Sequence, residues 1–419
     1  MTPATHELGE GGFVEEQRRS IPSETEVVVI GAGLVGCSIA YQLAKRGKRV
    51  AVFDMRGICS GASGRNGGMT GAGSSMLTET GRAVYALTTE NLRMLRDELP
   101  RELEDDFMLR LPGTFDIATT EEQLEHLKTS TRAQRELGGD VEMLDLKALK
   151  SIVPVVSDKV LGAKFARGGG HLWPFNLVHA LASGARRFGA EFYPWTAVTG
   201  ICQTNGEVSG VETERGTVSA ETVVVAANSW TPTLLKDLPP GAVVPARGQI
   251  LVTEAVGEVL RHPFGTNFDK EYGRQTATGQ ILCGGYRRLD LNEGLGSYAE
   301  RVSPPVLKGI GECIATLFPP LGSLKVVRSW AGIMGFTADG LPMIGPYGGV
   351  NQLFVAAGFN GGGFSWGAAT GKALAQLILH GRAAFDLEPF DPNRFATGGV
   401  SWDNPFTAGE MNNPRKQAV

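Results

Sequence analysis

The apolar positions near the start of the chain follow two periods in succession. Residues 26–30 read Glu-Val-Val-Val-Ile, a β-branched apolar run that predicts a strand buried on both faces. After a glycine turn, apolar side chains recur at helical spacing and predict a helix. Lys45 and Arg46 suit the negative end of its dipole, and Gly47 can adopt the left-handed capping conformation. Residues 49–53 predict a second, parallel strand, so this stretch is expected to form a strand-helix-strand unit.

The pattern of the following segment is mixed. Residues 78–99 predict a long helix that ends at Pro100, because proline cannot continue it. A strand candidate at 113–118 and helix candidates at 121–137 and 146–152 follow without regular alternation. These elements are not expected to continue the first unit.

Alternation returns in the second half and gives way to short strands of antiparallel character. The last elements form a second strand-loop-helix unit, so two nucleotide-type units lie near the two ends of the chain. In chain order the predicted elements are helix 174–188, strands 191–193, 197–204, 222–227, 248–254, 272–277 and 280–284, helix 307–317, strands 326–332 and 353–357, and helix 368–380 followed by Gly381.

Composition restricts the partners. The 419 residues include 40 basic and 44 acidic side chains without a basic block, so neither nucleic acid nor a membrane is an expected partner. The five cysteines are far apart, and His171 and His179 lack a ligand partner one helical turn away, so no disulfide framework and no metal site is predicted. Because no secretory signal and no run of about 18 apolar residues is found, a cytoplasmic protein that binds a small molecule is expected.

The glycine turn after the first strand carries a phosphate-binding pattern. Residues 31–36 read Gly-Ala-Gly-Leu-Val-Gly, which matches GxGxxG between a strand and a helix. Gly31 permits the tight turn, Gly33 lets the backbone approach a pyrophosphate, and Gly36 lets the helix pack on the strand. Asp54 ends the second strand, where an acid binds ribose hydroxyls and disfavours the 2′-phosphate of NADP. The pattern predicts an adenine dinucleotide and leaves NAD and FAD open.

The stretch after the second strand distinguishes these two cofactors. Residues 60–68 read Ser-Gly-Ala-Ser-Gly-Arg-Asn-Gly-Gly and resemble the GASGRNGG stretch of flavoproteins of the D-amino-acid oxidase (DAO) family. The resemblance extends over residues 26–395 and implies FAD, and it disfavours an NAD-dependent dehydrogenase. Four further segments resemble the family in the same order, namely 223–227 with Trp230, 245–249, 339–345 and 356–364.

The resemblance also implies which residues hold FAD. In the family the glycine loop at 358–364 lies at the pyrimidine end of the flavin, where its N–H groups would stabilise negative charge near N1 and O2. Gly332 matches the cysteine through which sarcosine oxidase-like members attach flavin, so noncovalent FAD is implied. The predicted FAD-binding residues are Gly31, Gly33, Leu34, Val35, Gly36, Asp54, Met55, Ser60, Ala62, Ser63, Arg65, Asn66, Gly67, Gly68, Met69, Val198, Ala227, Trp230, Gly332, Met334, Gly358, Phe359, Asn360, Gly361, Gly362, Gly363 and Phe364.

The family oxidises the carbon next to an amine nitrogen, and water hydrolyses the resulting imine. Glycine oxidase-like members hold the substrate carboxylate with two arginines, whose positions here match Met334 and Gly361, so that clamp is missing. The segment around Met334 is more similar to that of γ-glutamylputrescine oxidoreductases. The resemblance therefore implies a primary or secondary amine, polyamine-derived, N-substituted or opine-like, as the substrate.

Tyr272, Arg274, Met334 and Arg65 are the predicted catalytic residues. Alternation puts Tyr272 and Arg274 on one face of the strand that covers the flavin in the family, where substrate contact is predicted. For Arg274, the alternative to substrate contact is an ion pair. For Arg65, a positive charge beside the flavin is one role, and pairing with the pyrophosphate is the alternative. The oxygen-activating lysine of sarcosine oxidase-like members falls near Leu282, so O2 or another electron acceptor is expected.

The predicted fold is mixed α/β, a Rossmann-like FAD-binding domain with a discontinuous substrate domain built on an antiparallel sheet. An amino-acid oxidase or dehydrogenase of the glycine or sarcosine type is one alternative function, and a noncatalytic FAD-binding assembly factor is the other. The predicted division is a flexible segment 1–25, an FAD-binding domain at 26–100, 155–240 and 325–395, a substrate domain at 101–154 and 241–324, and a tail at 396–419.

Overall fold

Two eight-stranded sheets and a two-stranded ribbon make up the β-structure of the described residues, which in this computed structural model are 20–266, 271–396, 400–404 and 407. The strands are β1 Glu24–Ile30, β2 Val50–Phe53, β3 Met69–Thr70, β4 Thr114–Ala118, β5 Val141–Asp145, β6 Gly162–Ala166, β7 Gly170–His171, β8 Glu191–Tyr193, β9 Val198–Thr204, β10 Glu207–Thr213, β11 Gly216–Val225, β12 Val243–Ala255, β13 Phe264–Gly265, β14 Tyr272–Gln275, β15 Gln280–Gly284, β16 Val326–Thr337, β17 Met343–Pro346 and β18 Leu353–Ala357. The helices are α1 Leu34–Ala44, α2 Glu79–Arg93, α3 Leu99–Leu103, α4 Glu121–Glu136, α5 Leu146–Ile152, α6 Pro174–Arg187, α7 Thr231–Leu234, α8 Pro304–Leu317 and α9 Gly367–His380.

The first sheet has the order β17-β18-β11-β1-β2-β8, with β10 beside β11 and β9 beside β10. Its central pairs are parallel, and Val27 to Ile30 of β1 are buried because helices and a second apolar core cover the two faces. Every residue of α1 is buried, since α1 packs between this sheet, α6 and α9. The Ser38 hydroxyl donates to the carbonyl of Ala368 at 3.1 Å, which ties α1 to α9. The two strand-loop-helix units predicted from the ends of the chain thus form one layer.

The second sheet has the order β16-β12-β15-β14-β13-β4-β6-β5 and is antiparallel except for the β4–β13 pair. On one face, Phe115 and Phe264 pack in a core with residues of α5 and α8. The alternate positions, among them Asp116 and Tyr272, line a cavity on the other face. The second sheet therefore forms one wall of the site described below.

The predicted mixed α/β class is confirmed, but several elements differ from the sequence prediction. Strands β5, β6, β10 and β17 were not predicted, and β12 and β16 are longer than predicted. Strand β16 pairs with β12 from the Val243–Thr337 pair to the Thr253–Val326 pair, so it belongs to the second sheet, as does β6. The predicted domain division had placed β6 and β16 in the FAD-binding domain, whereas both strands lie in the second sheet. The other predicted domain boundaries stay a prediction.

Pro100 does not end the long helix, so that prediction is wrong. A π-helical turn over Met94–Glu98 interrupts the regular hydrogen bonds, and Pro100 then lies in the first turn of α3. A proline is tolerated there because the N–H groups of a first turn have no partner within the helix. The helix ends at Glu104, which has a positive φ of 56°.

The described part of the predicted tail packs against the molecule. Trp402 is 5% exposed and joins the core beside the first sheet. The Asn404 amide donates to the carbonyl of Thr337 at 2.5 Å and to Oδ1 of Asn360 at 2.8 Å. Most of the predicted flexible segment 1–25 lies outside the described residues. Among the helices of the described chain, we find none with the length and apolarity to cross a bilayer.

Candidate active site

A cavity of about 650 Å³ opens between the carboxyl ends of the parallel strands and the second sheet. Ile30, Phe53 and Ala226 border it on the first side, and Gly248, Tyr272 and Met334 border it on the other. Clefts of this size and position commonly hold ligands in open α/β sheets. The cavity is continuous from the GxGxxG turn to the second sheet, so a dinucleotide and a substrate can share it.

The GxGxxG turn has room for backbone only. Gly31 has a φ of +109°, and a Cβ there would lie 2.6 Å from the carbonyl oxygen of Ala226. A Cβ at Gly36 would lie 1.9 Å from the carbonyl oxygen of Gly31, so this glycine permits the close packing of α1, and it does not line the cavity. Gly33, Leu34 and Val35 do line it. A helix N-terminus that faces a cavity offers N–H groups and a positive dipole to phosphate oxygens.

Ser63 from the GASGRNGG loop completes this turn, since its hydroxyl accepts the N–H of Leu34 at 2.9 Å. Within the loop, the Asn66 amide donates to the carbonyls of Ala62 and Ser63, and its Oδ1 accepts the N–H of Gly68. Gly68 has a φ of +71° and does not line the cavity, because it packs against the carbonyl of Leu172. The side chain of Asn66 thus fixes the shape of the loop.

Asp54 lies at the end of the cavity next to the GxGxxG turn. Its Oδ2 accepts the N–H of Ala32 at 2.8 Å, and its Oδ1 accepts the N–H of Arg56 at 2.8 Å. Burial raises the pKa of Asp54, while these two backbone hydrogen bonds act in the opposite direction. Each oxygen keeps a second lone pair for a ribose hydroxyl. Also around this end, the predicted residues Met55, Ser60, Val198, Ala227 and Trp230 line the cavity.

Arg65 reaches the cavity wall but is already paired. Its Nη1 lies 2.7 Å from Oε2 of Glu300, and the other oxygen of Glu300 lies 2.8 Å from Nη1 of Arg56. Two guanidinium groups therefore share one carboxylate. A Cβ at Gly332 would lie 2.8 Å from Cβ of Arg65, so Arg65 occupies the space that a side chain at Gly332 would need. No sequence pattern singled out Glu300 or Arg56.

The loop 358–364 is held by three asparagines: Asn360, which was predicted to bind FAD, and Asn228 and Asn91, which the sequence prediction missed. Asn360 donates to the carbonyl of Gly358 at 2.6 Å and accepts the N–H of Thr337 at 3.0 Å. Asn228 accepts the N–H of Gly358, and Asn91 caps the start of α9 by accepting the N–H of Ala368 at 2.9 Å. Of the predicted loop residues, Phe359, Asn360, Gly361, Gly362, Gly363 and Phe364 line the cavity, and Gly358, with a φ of +73°, packs against Thr337.

Tyr272 lies on the cavity wall, as predicted for a residue that faces the substrate. A Cβ at Gly67 would lie 2.8 Å from its ring, so the GASGRNGG loop and β14 are in close contact. Met69 of the adjoining ribbon also lines the cavity. Burial raises the pKa of the Tyr272 phenol, which therefore stays protonated and can donate a hydrogen bond.

Arg274 does not line the cavity, contrary to the prediction of a substrate contact. It is 4% exposed, its Nε donates to the carbonyl of Gly67 at 2.6 Å, and its Nη1 donates to Nδ1 of His171 at 3.4 Å. Burial lowers the pKa of Arg274 to about 10. Strand alternation did place it beside Tyr272, but the GASGRNGG loop covers it. Arg274 therefore holds the loop, which is a positioning role.

Met334 fills the space between the second sheet and the loop 358–364. A Cβ at Gly248 would lie 2.8 Å from its Cε, and a Cβ at Gly361 would lie 3.2 Å from its Sδ. Phe336, two residues along the same face of β16, also lines the cavity, and the guanidinium of Arg287 lies 4.4 Å from its ring centroid. Arg287 itself lines the cavity, and burial lowers its pKa to about 10. Sequence reasoning missed Arg287 because it stands in a short turn without periodicity.

Residues 26–377 match the DAO family model, described as FAD dependent oxidoreductase, so the chain belongs to that family. The glycine turn, the buried acid and the loop 358–364 fit FAD, because a side chain at Gly31 would block the turn and Asp54 keeps free lone pairs. The chain is therefore an FAD-dependent oxidoreductase with noncovalent FAD, and the predicted family and cofactor are confirmed.

Three relatives show the range within the family. The glycine oxidase of Geobacillus kaustophilus (strain HTA426) is 32% identical over 375 residues, with 88% of this chain and 97% of that protein covered. The γ-glutamylputrescine oxidoreductase of Escherichia coli (strain K12) is 28% identical, with 91% and 90% covered. The mitochondrial dimethylglycine dehydrogenase of Rattus norvegicus is 29% identical. The alignment covers 94% of this chain but 47% of that protein, so this chain spans about half the length of that relative.

Among solved structures, the L-proline dehydrogenase from P. horikoshii superposes with a TM-score of 0.82 and 28% identity. The superposition covers 91% of this chain and 100% of that one. This likeness includes both sheets, so the predicted Rossmann-like fold with a second domain built on an antiparallel sheet is confirmed.

Proposed function

We propose that the protein oxidises the C–N bond of a primary or secondary amine that is polyamine-derived, N-substituted or opine-like. FAD, when bound, accepts two electrons and one proton as a hydride from the carbon next to the nitrogen. Loss of this hydride and of the N–H proton leaves an imine, which takes up water and breaks into a carbonyl compound and an amine. O2 or another acceptor then takes the two electrons from the flavin. The γ-glutamylputrescine oxidoreductase relative supports this substrate class.

The thioether of Met334 is the observation that carries the proposal. It occupies the gap between Gly248 and Gly361 at the place where the resemblance locates a carboxylate clamp in amino-acid oxidases. A thioether binds a carboxylate poorly, whereas an arginine binds it through two charge-assisted hydrogen bonds. A substrate without a carboxylate next to the oxidised carbon loses no binding interaction when Met334 stands in place of the arginine.

The wall residues supply orientation and exclude water. The protonated phenol of Tyr272 can donate to or accept from an amine, and Phe336 and Met334, which line the cavity from β16, are apolar. An amine that binds in its neutral form does not need a strong general base, since its nitrogen lone pair assists departure of the hydride. The chain therefore contributes position and a dry pocket rather than acid-base chemistry.

A second candidate function, amino-acid oxidation of the glycine or sarcosine type, is favoured by Arg287. This buried guanidinium lines the cavity beside Phe336, so a carboxylate could be bound from a different element than the missing clamp. The glycine oxidase relative agrees with this candidate.

An anaerobic screen separates the candidates. Purified holoprotein is mixed with putrescine, N-methylated amines, opine-like secondary amines and α-amino acids, and bleaching of the oxidised flavin absorbance is recorded. We expect amines to bleach the flavin and α-amino acids to do so at least about 10-fold more slowly. Bleaching by α-amino acids alone, abolished in Arg287→Met, would support the second candidate, and a flavin that nothing bleaches would support a noncatalytic role. Subsequent admission of air tests whether O2 is the acceptor.

A further inference from the structure

One row of residues crosses the second sheet on its cavity face. Asp116 of β4 pairs with Gly265 of β13, Gly265 pairs with Tyr272 of β14, and the row continues through Gly284 to Ile250. Four of these five residues, all except Gly284, line the cavity. Since neighbouring strands lie about 4.8 Å apart, the backbones at Asp116 and Tyr272 are about 10 Å apart. Gly265 has no side chain, so no side chain of β13 stands between the two in this row.

Asp116 presents a carboxylate at the far end of this row. Its Oδ2 forms an ion pair with Nζ of Lys164 at 2.6 Å, and Lys164 is the next residue in the row, on β6. Among the described residues, Oδ1 of Asp116 has no hydrogen-bond partner, and the side chain is 21% exposed. Lys164 is 6% exposed and does not line the cavity, so it supports the carboxylate from behind.

The neighbours of Asp116 suit a cation as well. Thr114, two residues earlier on β4, and Glu271, which precedes β14, are polar residues that also line the cavity. Polar residues, Asp116 among them, therefore border the end of the cavity beyond Tyr272.

We infer that Asp116 binds a second, distal cationic nitrogen of the substrate, which makes the substrate an unsubstituted or N-alkylated diamine. This inference rests on the proposed function and assigns the two nitrogens different environments. The nitrogen beside the oxidised carbon binds near Tyr272, in the apolar part. The distal ammonium binds at Asp116, where a charge-assisted hydrogen bond stabilises it.

The test compares putrescine with butylamine, which has the same carbon chain and lacks the second nitrogen. The half-saturating concentration and the limiting rate of anaerobic flavin reduction are measured for both in the wild type and in Asp116→Asn. We expect the wild type to be half-saturated by putrescine at a concentration about 10- to 100-fold lower than by butylamine. We expect Asp116→Asn to abolish this preference by raising the half-saturating concentration of putrescine towards that of butylamine.

Two further variants keep the test decisive. Asp140→Asn removes an exposed carboxylate in the turn before β5 and leaves the preference intact. Because Asp116→Asn leaves Lys164 buried without its partner, the double variant Asp116→Asn, Lys164→Met removes the pair together and loses the same preference.

The outcomes separate this inference from the proposed function. If both amines reduce the flavin with equal half-saturation in the wild type, or if Asp116→Asn affects them equally, the inference is wrong and the proposed function stands. If neither amine reduces the flavin, their binding is followed by perturbation of the flavin absorbance. A preference for putrescine in binding that Asp116→Asn removes then supports the inference, whereas equal or absent binding overturns it; the proposed function is decided separately by the full anaerobic screen.

Discussion

At the end of the cavity around Asp54, the glycine turn 31–36 brings backbone groups of one short segment to the wall, whereas around Asp116 side chains from strands far apart in sequence line it. The first arrangement serves a ligand with constant phosphates, and almost any side chain at Gly31 would block it. The second places a carboxylate and Tyr272 in one row across the second sheet. The comparison indicates that cofactor binding is fixed by backbone shape, and substrate choice by exchangeable side chains.

The largest effect is expected from a methyl group added at Gly31, at the Asp54 end of the cavity. Gly31→Ala places a Cβ 2.6 Å from the carbonyl oxygen of Ala226 at a φ of +109°. We expect almost complete loss of bound FAD, measured by flavin absorbance per protein, and a fall of more than about 2 kcal/mol in the free energy of unfolding. Gly47→Ala is the matched control, since Gly47 also has a positive φ but no atom near its added Cβ. The control loses about 1 kcal/mol and keeps FAD; full FAD content in Gly31→Ala would contradict the comparison.

A smaller effect is expected at Arg274, which joins the second sheet to the GASGRNGG loop. Arg274→Met removes the hydrogen bond to the carbonyl of Gly67 and should weaken FAD binding about 10-fold, because the loop is held less firmly. The half-saturating substrate concentration in FAD-saturated protein should not change, and Arg274→Lys should recover part of the FAD affinity. FAD release by dialysis and flavin-reduction kinetics measure the two quantities. If Arg274→Met leaves the FAD affinity unchanged and raises the half-saturating substrate concentration, the result would support the substrate contact that was predicted from the sequence.

The smallest effect is a dependence of stability on pH. The pKa of His171 is lowered to about 4 by burial and by the positive charges of Arg274 and Arg110. An unfolded histidine has a pKa of about 6.5, so the unfolded chain binds more protons between these values, and the free energy of unfolding falls as the pH falls from about 6.5 to about 4. His171→Gln removes this dependence and should reduce the loss of Tm between about pH 7 and about pH 5 by a few degrees. Equal losses in wild type and variant would show that His171 does not titrate in this way.

Sequence reasoning predicted the Asp54 end well because its geometry is local. Gly31, Gly36 and Asp54 lie within one strand-helix-strand unit, where spacing alone determines which atoms meet. The loop residues Asn66 and Gly361 were reached only through the family resemblance. They do line the cavity, although their roles stay predictions.

The remaining features depend on contacts between distant segments. Alternation predicted the face of Arg274 but not the loop that covers it, and no pattern connects Glu300 with Arg56 or Asn404 with Asn360. Asp116 becomes recognisable only when the register of β4, β13 and β14 is known. Short strands without strict alternation, such as β6, escape sequence prediction for the same reason.

The bond from Ser38 to Ala368 joins segments that are made at very different times during synthesis of the chain. The helix that begins at the phosphate-binding turn has no exposed residue, and α9, which covers it, is translated more than three hundred codons later, since 330 positions separate the two bonded residues. While it is being translated, the nascent N-terminal unit therefore carries an uncovered apolar face. Cofactor loading has to follow release of the C-terminal segment from the ribosome, and a stalled or truncated product would be prone to aggregate rather than to bind FAD.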